Sequence, residues 1–343
     1  ASDVYKRQLY NGNKRLKTIQ QEKLNNQMAE LDVATSENNI QESIAQVYIQ
    51  ILYAAESVKV NENTLQVSIA QRDRGQELLN AGSIAKSDLA QLEAQVSTDR
   101  YQLVTAQATL EDYKLQLKQL LELDGENEMN IYLPALSDEN VLAPLPTKRD
   151  VYISALSLRP EIEASKLNVE ASELGINIAK SSYFPTISLS AGIGTNHTSG
   201  SDFTFGEQVK NGWNNSIGLS VSVPIFNNRQ TKSAVQKAKL QYETSMLSLL
   251  DEQKALYKTI ESLWLDANSA QQRYAAANEK LKSTQISYEL ISEQFNLGMK
   301  NTVELLTEKN NLLQAQQEQL QAKYMAILNT QLLKFYQGDQ LAI

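Results

Sequence analysis

The chain has 343 residues, a formal net charge of −8 at pH 7, one histidine and no cysteine. The acidic balance disfavours nucleic acid as a partner, since no basic stripe is present to displace phosphate counterions. Without cysteine, the chain can form no disulfide and no thiolate metal site, and thiol catalysis is excluded. The sequence contains no run of about 18 apolar residues, so it predicts no transmembrane helix.

The chain opens with ASDVYKR, a charged stretch without alternation of apolar and polar residues. We expect residues 1–7 to be a cut end or a non-native addition. The lack of a recognisable signal peptide there therefore says nothing about the destination of the protein.

A phrase near the start of the chain, QLYNGNKRL, occurs again in altered form as PIFNNRQTK. The two copies align at an offset of 216 residues, which pairs Leu9 with Ile225 and holds without a gap through Gly82 and Gly298. A register kept over this length indicates an internal duplication, in which one supersecondary unit is built twice.

Each copy has helical periodicity. From Leu89 to Leu120 the apolar residues follow alternating steps of three and four, and Asp99 is the one polar residue in this series. The spacing is typical of a coiled-coil seam. A soluble structural coiled coil is one alternative that this pattern leaves open.

Each copy breaks once, at LLNAGSIAKSDL and at QFNLGMKNTVEL. The glycines suit a reversal with positive φ, and Ser83, Ser87 and Thr302 are candidates to cap the returning helices. We therefore predict two helical hairpins, each with an outgoing arm of roughly 65 residues, about 100 Å long.

Between the copies the composition changes. The stretch 125–148 holds three of the six prolines and predicts a loop-rich connector, and a shorter helix is expected from about Pro160 to Lys180. Two segments then alternate with period two, within YFPTISLSAGIGT and WNNSIGLSVSVPIF, as expected of a transmembrane β-hairpin. The aromatic residues expected to form a girdle at its ends are Tyr183, Phe184, Phe203, Phe205 and Trp213.

The alternative is a soluble hairpin with one face on a core. The second face is small and weakly polar rather than charged, which favours a membrane wall. A lone hairpin in lipid leaves its edge groups without hydrogen-bond partners, so the membrane interpretation requires other copies of the chain.

The stretch RPEIEASKLNVEASELGINIAKSSYFPTISLSAGIG, the paired junctions LYNGNKR and IFNNRQT, and the paired reversals AGSIAKSDL and LGMKNTVEL resemble the outer-membrane efflux protein family. The resemblance covers nearly the whole chain after about Gln8. It implies a mainly α fold with a transmembrane β-hairpin. Duplicated long helical coiled-coil hairpins would form a trimeric α-barrel tunnel continuous with an outer-membrane β-barrel.

The resemblance also implies the function and the partners. The expected function is the outer-membrane channel of a tripartite efflux pump or type I secretion system, a passive conduit and not an enzyme, with its helical tunnel in the periplasm. The expected partners are two further copies in a homotrimer, a periplasmic adaptor (membrane fusion) protein, an inner-membrane RND or ABC transporter, and outer-membrane lipid. No cofactor and no metal are expected. The alternative function is a periplasmic coiled-coil scaffold or adaptor without a membrane barrel.

The family places a β-hairpin before each junction, whereas here only the second junction has one. We therefore expect an N-terminally truncated chain. Its expected parts are a first repeat without its β-hairpin (1–124), a connector with an equatorial helix (125–182), the β-hairpin (183–226) and a second helical hairpin (227–343).

By resemblance, functional residues concentrate at the reversals. Glu304 would form an acidic ring at the pore entrance, with Thr307 where the family can carry a second acid; an ordinary solvated glutamate at a helix start is the alternative. Mutual repulsion in such a ring would raise at least one proton affinity. The positions matching the family's gate links are Ser87, Asp88, Phe295 and Lys300. The tips expected to dock the adaptor are Ala81, Gly82, Ser83, Ile84, Leu297, Gly298 and Met299.

No catalytic residue is predicted. The one histidine, His197, lies in the loop of the β-hairpin, where we expect a surface residue, and no nucleophile or phosphate-binding motif occurs.

Overall fold

A computed structural model describes residues 2–123, 131, 132, 134 and 141–341. The chain divides into two compact units, Ala1–Thr35 with Arg159–Lys254 and Ser36–Leu158 with Ala255–Ile343. In chain order the elements are β1 (Ser2–Asn11), α1 (Lys14–Asn80), α2 (Lys86–Leu120), α3 (Lys148–Leu158), α4 (Pro160–Lys180), β2 (Thr186–Gly194), α5 (Phe205–Asn211), β3 (Asn214–Ser222), α6 (Gln230–Asn296) and α7 (Thr302–Gln337).

The first unit contains a three-stranded antiparallel sheet in the order β1-β2-β3. The predicted hairpin is confirmed as β2 and β3, in which Thr186 lies opposite Ser222 and Gly194 opposite Asn214. Residues directly opposite each other share a face of a sheet. One face of β2 and β3 is therefore apolar, and the other carries only serine, glycine, threonine and asparagine.

The strand β1 was not predicted. It pairs with β2 and has an irregularity between Gln8 and Tyr10. Asp3 and Arg7 lie opposite Ile193 and Leu189, on the face that β2 and β3 make apolar. Charges in these positions remove the alternation by which a strand is recognised, so the sequence pattern did not reveal it.

The two copies of the repeated phrase form the same junction. Gly12 and Asn13 have φ values of 65° and 62°, and their equivalents Asn228 and Arg229 have 48° and 61°. Two consecutive residues in the left-handed region turn the chain into the following helix at both places. A side chain at Gly12 would also collide with the backbone oxygen of Ser181, 2.6 Å from the position of a Cβ atom.

The predicted helical hairpins are confirmed. The outgoing helices α1 and α6 each have 67 residues, and the returning helices α2 and α7 have 35 and 36. Leu89, Leu92, Val96 and Leu117 of the predicted seam in α2 are buried, and so is Asp99. None of the described helices is long and apolar enough to cross a membrane.

The helix predicted from about Pro160 to Lys180 is present with those bounds as α4. Helix α3 was not predicted, and most of the predicted connector 125–148 lies outside the described residues.

In the second unit the main core includes Ile49, Leu52 and Tyr274, packed with the C-terminal part of α7. A second core cluster, near the reversals, is formed by Leu92, Phe295 and Leu305.

Candidate functional site at the helical reversals

The two reversals have the same backbone hydrogen bonds. At the first, the N–H groups of Gly82 and Ser83 donate to the carbonyl groups of Leu79 and Leu78, at 2.9 and 2.8 Å. Those of Gly298 and Met299 donate at the equivalent places, also at 2.9 and 2.8 Å. This pattern, with a glycine in the left-handed region, is the Schellman motif that ends many helices.

Both turn glycines have a φ of 74°. A Cβ atom at Gly82 or Gly298 would meet no atom within 4 Å, so the backbone conformation, and not a lack of space, calls for glycine. The predicted docking residues are exposed at both tips, apart from the partly exposed Ile84. Leu297 and Met299 expose 69% and 71% of their surface, which makes the second tip apolar.

The reversals lie nearly level with each other. Gln71 Nε2 of α1 donates a hydrogen bond of 2.8 Å to the hydroxyl of Tyr288 of α6. These residues precede Gly82 and Gly298 by 11 and 10 positions, and a helix rises about 1.5 Å per residue. The two hairpins of one chain therefore pack side by side in register.

The expected helix caps were wrong. Ala85 and Asn301, and not Ser83, Ser87 or Thr302, are the N-cap residues of α2 and α7. Thr302 is buried at the first position of α7. Backbone geometry at the reversal, which sequence composition does not fix, sets where each helix begins.

The two equivalent acids have a local role at these helix starts. The carboxylate of Asp88 accepts a hydrogen bond of 3.0 Å from the backbone N–H of Ala85. That of Glu304 accepts one of 3.2 Å from Asn301, whose side chain accepts in return from the N–H of Glu304 at 2.9 Å. Both acids therefore satisfy donors that a helix start leaves unpaired.

Glu304 has a second partner. Lys300 Nζ forms a hydrogen-bonded ion pair with its carboxylate, and this bond and the Asn301 N–H hold the pKa of Glu304 below its usual range. Within one chain the shift is opposite to the one expected of a ring of repelling carboxylates. Thr307 is exposed, and its hydroxyl donates to the carbonyl of Val303 at 2.8 Å.

The residues at the family's gate positions form no ion pair with one another within the described part of one chain. Among the described residues the ion pair of Lys300 is with Glu304, and no ion pair joins Lys300 to Asp88. Phe295 is 2% exposed and packs against Leu92 and Leu305. Ser87 is exposed. A gate role for these residues would require contacts between copies of the chain, and it stays a prediction.

The residues of the predicted aromatic girdle fall into two groups at opposite ends of the sheet. Tyr183 and Phe184 precede the start of β2, whereas Phe203, Phe205 and Trp213 lie between β2 and β3. All five side chains are exposed. The nine residues of β2 between the groups span about 27 Å, close to the height of the apolar band of an outer-membrane sheet.

One buried polar cluster was missed. Asp99, noted in the sequence as a polar residue in an apolar seam, forms a buried ion pair with Lys309 of α7. Burial lowers the pKa of Lys309, and the Asp99 carboxylate opposes this. The position of Asp99 was the available signal. Its partner lies 210 residues away in the sequence, where no local pattern points to it.

A membrane-type sheet joined to duplicated long helical hairpins, with exposed reversals, defines a class of envelope proteins. A family model described as "Outer membrane efflux protein" matches residues 151–338. The chain belongs to the outer membrane efflux protein family, as the sequence predicted, and this assigns the protein to the outer membrane.

Individual relatives agree with this assignment. The chain is 24% identical to the outer membrane efflux protein BepC of Brucella suis over 294 residues, which cover 85% of this chain and 61% of BepC. It is also 24% identical to the outer membrane protein TolC of Escherichia coli, over 83% of this chain and 58% of TolC. The chain thus spans about 60% of the length of these relatives.

The solved structure of CusC has the same fold. It superposes with a TM-score of 0.84 at 18% identity, and the match covers 99% of this chain and 77% of CusC.

Proposed function

We propose that the protein is the outer-membrane channel of an export system, a passive conduit that three copies of the chain form together. The observation that carries the proposal is the exposed apolar face of β2 and β3. Ile217, Leu219 and Val221 of β3 are 83%, 65% and 58% exposed. Apolar side chains in such a row are stable against lipid and not against water.

The open edges of the sheet support assembly. In the described residues β1 and β3 each pair along one edge only. Backbone groups at an unpaired edge have no partner in lipid, so further strands must close the wall. The resemblance to trimeric channels leads us to propose three copies, whose sheets together complete it.

The helical hairpins supply the rest of the conduit. We propose that they line a tunnel in the periplasm, and that a periplasmic adaptor protein docks at the reversals Ala81–Ala85 and Leu297–Asn301. The exposed apolar tip with Leu297 and Met299 supports this docking. An inner-membrane transporter of the RND or ABC type would drive export, so the channel itself needs no catalytic residue.

CusC, whose structures concern transmembrane channel formation, supports the channel over the coiled-coil scaffold considered above. A scaffold would bury or charge the second face of its hairpin, whereas in β2 and β3 this face carries only small or neutral polar residues.

The test is to purify the protein from the outer membrane of its host and to reconstitute it in planar lipid bilayers. We expect a detergent-solubilised trimer with a stable ohmic conductance. A monomer that stays soluble without detergent, and that leaves the bilayer conductance unchanged, would contradict the proposal.

A further inference from the structure

A buried polar cluster lies within the second unit, where three helices meet. Ser68 of α1, Asp99 of α2 and Lys309 of α7 are 2%, 2% and 3% exposed. Lys309 Nζ donates to the Asp99 carboxylate and to the hydroxyl of Ser68, which donates to the same carboxylate oxygen. Gln95 Nε2 donates to the other carboxylate oxygen at 2.9 Å. Both carboxylate oxygens therefore have partners.

A buried ion pair is weak evidence for stability. The cost of removing two charges from water offsets much of their attraction, and an apolar pair of similar volume is often as stable. An ion pair differs from an apolar pair in what happens when it is displaced. If one helix slides by a turn, about 5.4 Å, each charge is left buried and unpaired, whereas apolar side chains find new neighbours.

The internal duplication shows that the pair is specific to one packing. The equivalent of Asp99 in the second copy is Ala315, which is fully buried, and the equivalent of Lys309 in the first copy is Glu93, which is exposed. The duplication therefore supplies no second copy of the pair, because its counterpart would place Glu93 opposite Ala315. It joins α2 of the first hairpin to α7 of the second, and these two helices pack against each other.

We infer that the cluster of Ser68, Asp99 and Lys309 is a register lock, which selects α7 as the partner of α2 and fixes their axial position. Its charges lie 17 and 11 residues beyond the turn glycines Gly82 and Gly298, so the backbone positions of the two residues differ by six residues, or about 9 Å, along the helices. The apolar seam of α2 repeats along the helix, so by itself it specifies the axial position of α2 only weakly. The inference concerns packing within the chain and does not depend on the proposed channel function.

The test separates stability from register. Asp99→Leu and Lys309→Met each leave one charge buried and unpaired, and we expect the thermal midpoint of the detergent-solubilised protein to fall by roughly 5–10 °C. The double variant has no unpaired charge, and its midpoint should return close to that of the wild type. Single variants without a loss, or a double variant as unstable as the single ones, would overturn the inference.

Register is read from a distance between α2 and α7. The chain has no cysteine, so Ser97→Cys and Asn310→Cys place spin labels only at these exposed positions. Labelled chains are diluted with unlabelled ones, so that double electron–electron resonance reports the distance within one chain. We expect a single narrow distance with the lock intact. In the Asp99→Leu/Lys309→Met background we expect a broader distribution or a second population shifted by about one turn.

A matched control is the ion pair of Lys280 and Glu318, which joins α6 to α7 at 2.7 Å on the surface. Lys280→Met with Glu318→Leu should leave the labelled distance unchanged. If the double variant at Asp99 and Lys309 also keeps the single narrow distance, the cluster does not set the register and the inference is wrong.

Discussion

Lys300 forms an ion pair with Glu304, four residues further along at the start of α7, whereas Ile84 occupies the position four residues before Asp88, the equivalent acid of the first copy. In each chain the acid predicted to line the pore entrance thus has its own counter-charge. We therefore expect the lysine at this position to affect ion selectivity, in addition to any contact between copies of the chain.

The first prediction concerns this pair. Lys300→Glu removes the counter-charge and adds a carboxylate, so we expect a higher single-channel conductance and a stronger preference for cations. Both are measured in planar bilayers, the second from the reversal potential in a salt gradient. Lys166→Glu, which disrupts an exposed pair with Glu163 in α4, is the control and should change neither quantity. If Lys300→Glu kept the conductance and cation preference of the wild type, Lys300 would not line the pore entrance.

A second substitution separates the two roles of Lys300. If Lys300 bridges to Asp88 of another copy, Asp88→Lys in the Lys300→Glu background restores opposite charges and brings much of the closed state back. Such a surface pair is worth under about 1 kcal/mol, although three symmetry-related copies act together. Failure of this rescue, with cation preference still raised, would show that Lys300 acts through Glu304 alone.

The second prediction is a pH dependence. Because the pKa of Glu304 is lowered, its ionised form contributes stability above the ordinary glutamate pKa, and that contribution is lost as the pH falls through the lowered value. The thermal midpoints of wild type and Glu304→Gln should therefore differ most near neutral pH and converge in acid. A difference that grows on acidification would contradict the assigned hydrogen bonds.

The third prediction concerns docking. Leu297→Glu with Met299→Glu removes the apolar tip without touching the left-handed glycine, so we expect export to fall by an order of magnitude or more while trimer and membrane insertion persist. Gly298→Asn is the control, because asparagine tolerates positive φ, and should keep most of the activity. Export of a reporter substrate and cross-linking to the adaptor are measured. If export stayed normal with the two glutamates in place, the adaptor would not dock at this tip.

The fourth prediction uses two neighbouring residues that face opposite sides of the sheet. Leu219 lies on the apolar face and Ser220 on the polar face, and both are exposed. Leu219→Lys places a charge against lipid at a cost of about 2–4 kcal/mol near the midplane, so the protein should be depleted from the outer-membrane fraction. Ser220→Lys should insert normally and change only conductance. Equal insertion of both variants would mean that the apolar face does not contact lipid.

The fifth prediction concerns Phe295. Because this ring is buried between Leu92 and Leu305, a hydroxyl added by Phe295→Tyr has no water and should cost about 1–3 kcal/mol of unfolding free energy. Chemical denaturation measures this. Unchanged stability together with a lower open probability would instead show that the hydroxyl reaches a partner in a neighbouring copy, as the gate hypothesis requires.

Much of this fold could be predicted from the sequence because its signals are local and repeated. Period two identified β2 and β3, period 3.5 identified the seam of α2, and the 216-residue offset identified both reversals. Helix α5 escaped notice although Thr204 and Glu207 form a capping box at its start, a signal that the sequence does contain. The strand β1 escaped because its charges conceal the alternation.

The site was harder to predict because its contacts join distant parts of the chain. Asp99 was visible as an anomaly, but only packing of α2 against α7 brings Lys309 to it. Phe295 was assigned to the gate from its position in a family motif. Its burial depends on packing against side chains of other helices, which the motif does not show. Lys300 pairs with Glu304 because of the local conformation where α7 begins, and the sequence does not fix that conformation.

The polar face of β2 and β3 has a final consequence. In these two strands the face presents hydroxyls, amides and the backbone of glycines. There is no ionisable side chain from Thr186 to Gly194 or from Asn214 to Ser222. A solute that moves along such a surface meets weak dipoles that reorient, and neither an anion nor a cation is held or repelled. The ionisable side chain that the described strands add to this face is Lys6 of β1, opposite Ser190, so any preference of this stretch of wall for one sign of charge would come from β1.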